Sequence, residues 1–188
     1  KYSVNGSSPV TLGANDQTPT LNSGDTVYWY FSGSPTTTDG IGTFSSTGRF
    51  DVEGNLLSLL WGTDFMESVH DYAWEAKGDY PPNISASYAF KYLLKGTKVV
   101  NAYRLCLSFN QGEQATGAIG LFYGMFENCN YLEIPMLTWS ESELWEEQFA
   151  YTYANCTSLR TTMKNISGAE LAVRTCFGMY SGCTSLNE

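Results

Sequence analysis

Histidine is almost absent from this chain of 188 residues, which holds a single one at His70. With no C-x-x-C spacing beside it, that one imidazole cannot complete a Cys/His zinc site of the usual kind. Also missing are G-x-S-x-G, a P-loop, H-E-x-x-H and G-x-G-x-x-G, the motifs that would point to acyl transfer, nucleotide binding or metal-assisted hydrolysis. No stretch reaches the roughly 18 apolar residues of a membrane span. Nothing at the start reads as a signal peptide, and the chain opens at Lys1 without an initiator Met, so we expect a processed or excised piece of something longer. Basic residues are scarce, 10 Lys and Arg against 19 Asp and Glu, for a net charge of −9. An acidic chain repels phosphate backbones, which argues against nucleic acid as a partner.

Aromatic residues, by contrast, are plentiful: 15% of the chain, including 13 Tyr. Tyr joins an apolar body to a polar tip and suits both a core and an exposed binding face. The five cysteines are Cys106, Cys129, Cys156, Cys176 and Cys183. An odd number argues against a fully paired disulfide framework. Cys129, Cys156 and Cys183 are spaced by 27 residues each time. A ladder of buried free thiols is the expected result, because free Cys packs as a small hydrophobe.

Other positions share that interval. Three residues before each Cys stands an aromatic (Phe126, Tyr153, Tyr180), and three after it a Leu (Leu132, Leu159, Leu186). These nine residues form the expected repeat core. A degenerate copy precedes them, with Thr97 in the Cys place and Val100 in the Leu place; its step to Cys129 is 32, so extra residues are expected near 110–115. A fixed period in the twenties marks units too small to bury their own apolar face, which stack to share one core.

Within a unit, Trp145, Phe149, Thr152 or Tyr153 and Cys156 step by three or four residues, as do Ile119, Phe122, Met125 or Phe126 and Cys129. The spacing predicts a helix. Ser140 and Ser142 would cap it, with Glu141, Glu143, Glu146 and Glu147 suiting its first turn. Asn128 and Gly182 suit a helix end. Extended runs at 98–102, 131–135 and 159–163 would follow as strands. The expected fold is therefore α/β: a short leucine-rich-repeat-type solenoid over residues 71–188, about four units of helix plus strand lining a parallel sheet. Residues 1–70 read as an N-terminal β-rich cap, with strands at 26–31, 44–52 and 55–61 around Gly-rich turns.

These units resemble the BspA-like leucine-rich repeat proteins of Bacteroides-type bacterial surfaces. The family pattern runs C-Y-x-x-M-F-x-G-C-T-S-L; Cys176-Phe-Gly-Met-Tyr-Ser-Gly-Cys-Thr-Ser-Leu186 is close to it, and Met125-Phe-Glu-Asn-Cys129 matches in part. The segment 44–62 is similar to what precedes such repeats. Only Ile134-Pro135 answers to the Pro-rich stretch that usually continues a family unit. The resemblance implies an extracellular, cell-surface location and adhesion through protein binding.

Chemistry-bearing clusters are few. His70 lies near Asp64, Glu67 and Asp71, and Glu141, Glu143, Glu146 and Glu147 could pair for glycoside hydrolysis or Ca²⁺. The plainer reading of each is a polar linker and a solvated helix start, so we expect no enzyme, no cofactor and no metal. Asn5, Asn83, Asn155 and Asn165 fit the glycosylation triplet, which is too short to weigh much. Tyr103, Tyr131, Trp139 and Trp145 are the candidate binding residues, on or beside the repeat strands. The expected function is a recognition or adhesion module that binds a host or environmental protein through its repeat surface. Alternatives are a carbohydrate-binding module using exposed aromatics and a structural spacer of a larger surface protein.

Overall fold

A computed structural model of the chain describes residues 1–13, 17–29, 40–56, 59, 84, 86–107, 118–136, 143–163 and 170–187. Its strands are β1 (Tyr2–Val4), β2 (Val27–Trp29), β3 (Phe50–Asn55), β4 (Val99–Cys106), β5 (Glu143–Leu144) and β6 (Glu170–Leu171). They make two-stranded sheets: β1–β2 antiparallel, β3–β4 and β5–β6 parallel. This overturns the expected leucine-rich-repeat solenoid. No described element is a helix, and no described sheet has a third strand.

The segments expected as helices are instead strings of tight turns, at 87–96, 119–128, 146–155 and 173–182. Their hydrogen bonds explain the difference. In an α-helix every N–H past the first turn bonds four residues back in its own segment. Here only alternate N–H groups bond locally, three residues back, as in Tyr123 to Gly120, Met125 to Phe122 and Glu127 to Gly124. The N–H groups between them leave the string. Those of Gly120, Phe122, Gly124, Phe126 and Asn128 donate to the carbonyls of Glu146, Gln148, Ala150, Thr152 and Ala154. Five such bonds join each string to the next along the stack.

Turning the chain this way requires a left-handed residue at every fourth position. Gly120, Gly124 and Asn128 have φ of 61°, 56° and 63°, and Gly178 and Gly182 have 60° and 76°. Glycine enters that region without steric cost and Asn more readily than most residues. The same columns hold Tyr88, Tyr92, Glu147, Tyr151 and Arg174, all with φ between 54° and 60°. The glycines and these larger residues answer one another between neighbouring strings. A Cβ on Gly120 would run into the ring of Tyr88, one on Gly124 into Tyr92, and one on Gly178 would lie 2.7 Å from Cε1 of Tyr151.

A period of four also sets the core. Ala89 and Phe90, Leu93 and Leu94, Leu121 and Phe122, Met125 and Phe126 are buried pairs, each four residues from the next in its string. Their columns stack from string to string. Phe90, Phe122 and Phe149 lie with ring centroids 5.9 and 5.3 Å apart and planes within 15° of parallel. Phe126, Tyr153 and Tyr180 stack at 5.4 and 5.5 Å. Burying such rings contributes on the order of 2 kcal/mol each before entropy is counted.

On the other side of the units the chain is extended, with a sparse parallel ladder. β3 lies on β4, the Ala102 N–H donates to the Ile134 carbonyl, Arg160 to Glu133 and Asn187 to Arg160. The expected strand at 131–135 is reduced to a single bridge, Asn101 with Ile134. At the front of the stack, the N–H groups of Ile41 and Phe44 donate to the carbonyls of Ala89 and Leu93 and so cover the first string's edge.

Replacing Gly96 (φ 70°, nothing near its Cβ direction) by Ala should cost only the left-handed strain, roughly 1–2 kcal/mol. Gly178→Ala should cost about 1 kcal/mol more, because the Tyr151 ring must move as well. Urea midpoints at unchanged slope measure both, and equal losses would refute the ring-on-glycine contact.

Candidate functional site

The face opposite the extended ladder carries a continuous run of rings. Tyr123 meets Tyr88 and Tyr92 edge-on, each at 5.8 Å between centroids. Tyr123 then meets Tyr151 at 5.5 Å, and Tyr151 meets Phe177 at 5.4 Å with planes 88° apart. The turn strings place them. Tyr88, Tyr92 and Tyr151 occupy left-handed positions, which turn their side chains out over the glycines of the following string. Four of the rings are half-buried and Phe177 is exposed.

Charge is threaded through this run. The Lys91 ammonium lies 5.0 Å from the Tyr88 ring, 5.4 Å from Tyr92 and 5.8 Å from Tyr123, and pairs with no carboxylate among the described residues. Lys95 sits 4.0 Å over Tyr92 and pairs with Glu127 at 2.9 Å. Arg174 sits over Phe177 and pairs with Glu147 at 2.9 Å. The Tyr88 hydroxyl spans Gly120 and donates to the other Glu147 oxygen at 3.0 Å. Burial raises the Tyr88 hydroxyl above its ordinary pKa, and the Glu147 carboxylate adds to this. Tyr123 is raised too, first by burial and then by its tyrosine and glutamate neighbours.

The residues singled out in the sequence fall in several places. Tyr103 is on β4 and Tyr131 just past Cys129, both exposed on the extended side, where Arg49 stacks 4.4 Å over Tyr131. Trp145 opens the third string; its indole N–H and the Gln148 side-chain N–H₂ are buried with no acceptor among the described residues. Trp139, His70, Glu141, Ser140 and Ser142 lie outside the described residues. Tyr88, Tyr92, Tyr123, Tyr151 and Phe177 went unremarked in the sequence. The signal was there: Tyr92 and Tyr151 each stand where the following unit has Gly, Gly124 and Gly178.

The nine positions spaced by 27 residues differ in burial from unit to unit. Phe126, Cys129, Leu132, Tyr153, Cys156 and Leu159 are fully buried, while Tyr180, Cys183 and Leu186 in the last unit are partly covered. Each thiol reaches back one unit: Cys129 Sγ donates to the Leu94 carbonyl at 3.0 Å, Cys156 to Phe126 at 3.1 Å and Cys183 to Tyr153 at 3.0 Å. Thr97 touches Cys129 at 3.6 Å and completes the column. All five cysteines are free thiols. Burial pushes Cys106 and Cys129 up to about 11 and Cys156 higher still, so these sulfurs stay protonated and poorly nucleophilic.

Among the described residues no group of three or more His, Cys, Asp or Glu side chains could hold a metal ion. Among the described residues no helix long and apolar enough to cross a membrane occurs. No family model, no curated protein and no solved structure matches the chain.

A thiol raised on folding holds its proton more tightly in the native state, so its contribution is complete below the unfolded pKa near 9 and is lost as pH climbs to about 11. The urea midpoint should therefore stay level to about pH 8.5 and fall above it, less steeply in Cys129→Ala. In the hydroxyl chain, Tyr88→Phe should lower stability by about 0.5–1.5 kcal/mol, read by the same unfolding curves.

Proposed function

We propose that this chain is an extracellular or cell-surface recognition module that binds a protein partner through the ring-lined face of its turn strings. The observation that carries this reading is the run from Tyr88 through Tyr123 and Tyr151 to Phe177, continuous across four strings and threaded with Lys91. Tyr-rich patches supply large contact area at small conformational cost. These rings are already immobilised by each other, so little ordering remains to be done on binding. Lys91 brings a cation held over three rings and paired with no carboxylate among the described residues, which suits a partner presenting Asp or Glu beside apolar side chains.

Sugar recognition is less well served. A pyranose stacks on an open ring face, whereas here Lys95 covers Tyr92, Arg174 covers Phe177, and edges of neighbouring rings meet the others. The reading is of a binding module rather than an enzyme, because the two carboxylates among these rings are already engaged: Glu147 with Tyr88 and Arg174, Glu127 with Lys95.

The test is a binding screen against immobilised matrix proteins and receptor ectodomains, alongside a glycan array. We expect saturable protein binding that falls roughly tenfold or more in Lys91→Glu and in Phe177→Ser, and stays within about twofold in Tyr103→Ala on the far side. A glycan signal without a protein hit, or equal loss on both sides, would sink the proposal.

A further inference from the structure

Strings add to one another along the stack axis, N–H to carbonyl. The ring-lined face lies to the side of that axis, so it is not the surface on which units meet. Along it the ring centroids follow one another at 5.8 Å from Tyr88 to Tyr123, 5.5 Å on to Tyr151 and 5.4 Å on to Phe177, one ring per string. The backbone holds this interval, because Tyr88 and Tyr151 are left-handed and lie over Gly120 and Gly178 of the following strings. A polypeptide docked along the face must present side chains at a matching interval. An α-helix advances about 5.4 Å per turn and sets one side chain per turn along a given line. An extended strand sets one about every 6.7 Å, and a polyproline helix about every 9 Å. Over the three ring intervals a strand slips by roughly 3–4 Å, half its own repeat, while a helix stays within about 0.5 Å.

Charge sets the direction. Lys95 and Arg174 are each paired, with Glu127 and Glu147. Lys91, at the Tyr88 end of the run, pairs with no carboxylate among the described residues. A helix carries about half a negative charge at its C-terminus, where the last carbonyls lack partners. We propose that the partner element seated on the ring-lined face is an amphipathic α-helix, lying along the stack with its C-terminal turn at Lys91. Its apolar residues stand at i, i+4, i+7 and i+11, one against each ring. A Glu in its last turn, unfavourable in an isolated helix, is offset there by the Lys91 ammonium. This inference rests on the protein-binding reading of the face and names the partner's chemistry.

Three synthetic peptides of about 18 residues and one composition serve as probes. The first carries Leu at i, i+4, i+7 and i+11 with Glu in its last turn, and lactam bridges on its outer face lock it as a helix. The second is locked in the same way but carries the Glu in its first turn. The third alternates Leu with polar residues, the pattern of a strand. Each is titrated against the full chain by fluorescence anisotropy. We expect saturable binding of the first peptide, roughly tenfold tighter than the third and about threefold tighter than the second. Phe177→Ser should weaken the first peptide roughly tenfold, and Lys91→Glu should reverse the preference between the first two. Unchanged urea midpoints verify that both variants fold. No saturable binding of the first peptide, or equal binding of the third, overturns the helix. Tighter binding of the alternating peptide that still depends on Phe177 removes the helix and leaves the ring-lined face as a protein-binding surface. Binding indifferent to Phe177→Ser removes both.

Discussion

The whole arrangement depends on a backbone constraint: each string spends half of its N–H groups on the next string. A segment can do this only if it turns tightly enough for alternate N–H groups to point along the stack, and the left-handed residue at every fourth position makes that turn. From this follow the buried pairs four apart, the parallel stacking of Phe90, Phe122 and Phe149, and the thiols that reach back to the preceding unit. Unpaired buried backbone groups are costly, so a string is stable chiefly where a neighbour accepts its donors.

The left-handed columns also create the ring-lined face that we propose for binding. A non-glycine residue there carries strain of about 1–2 kcal/mol. The chain accepts it at Tyr88, Tyr92, Glu147, Tyr151 and Arg174, and each is held by contacts beyond its own string. Tyr88 bonds Glu147, Glu147 bonds Arg174, and the rings interlock edge to face. Strain retained at positions that point outward is what one expects where side-chain direction matters to the outside of the molecule.

Much of the unit structure could be read from the residues. The 27-residue step, the Thr97 register and the nine core positions all describe one interior. The helix did not follow, and the reason is quantitative. Over two or three turns an apolar step of four is hard to tell from 3.6, since the two differ by about 10° per residue. Glycine spacing carried the missing information. Gly120 and Gly124, and again Gly178 and Gly182, sit four apart inside the supposed helices, where each would cost about 1 kcal/mol. Asn128 and Gly182, expected at a helix end, are left-handed residues that close a turn string instead.

The sequence by itself determined the repeat, its phase and the membership of the core, because apolar side chains at fixed spacing must share a burial site whatever backbone carries them. It also determined the net charge and, through an odd cysteine count, that the thiols cannot all pair within the chain. Only the tertiary structure decided whether donors close within a segment or between segments, since that choice rests on a neighbour 27 residues away offering carbonyls in register. It alone decided which tyrosines gather into one face, because a ring finds its place over a glycine of the next string and not over any residue of its own.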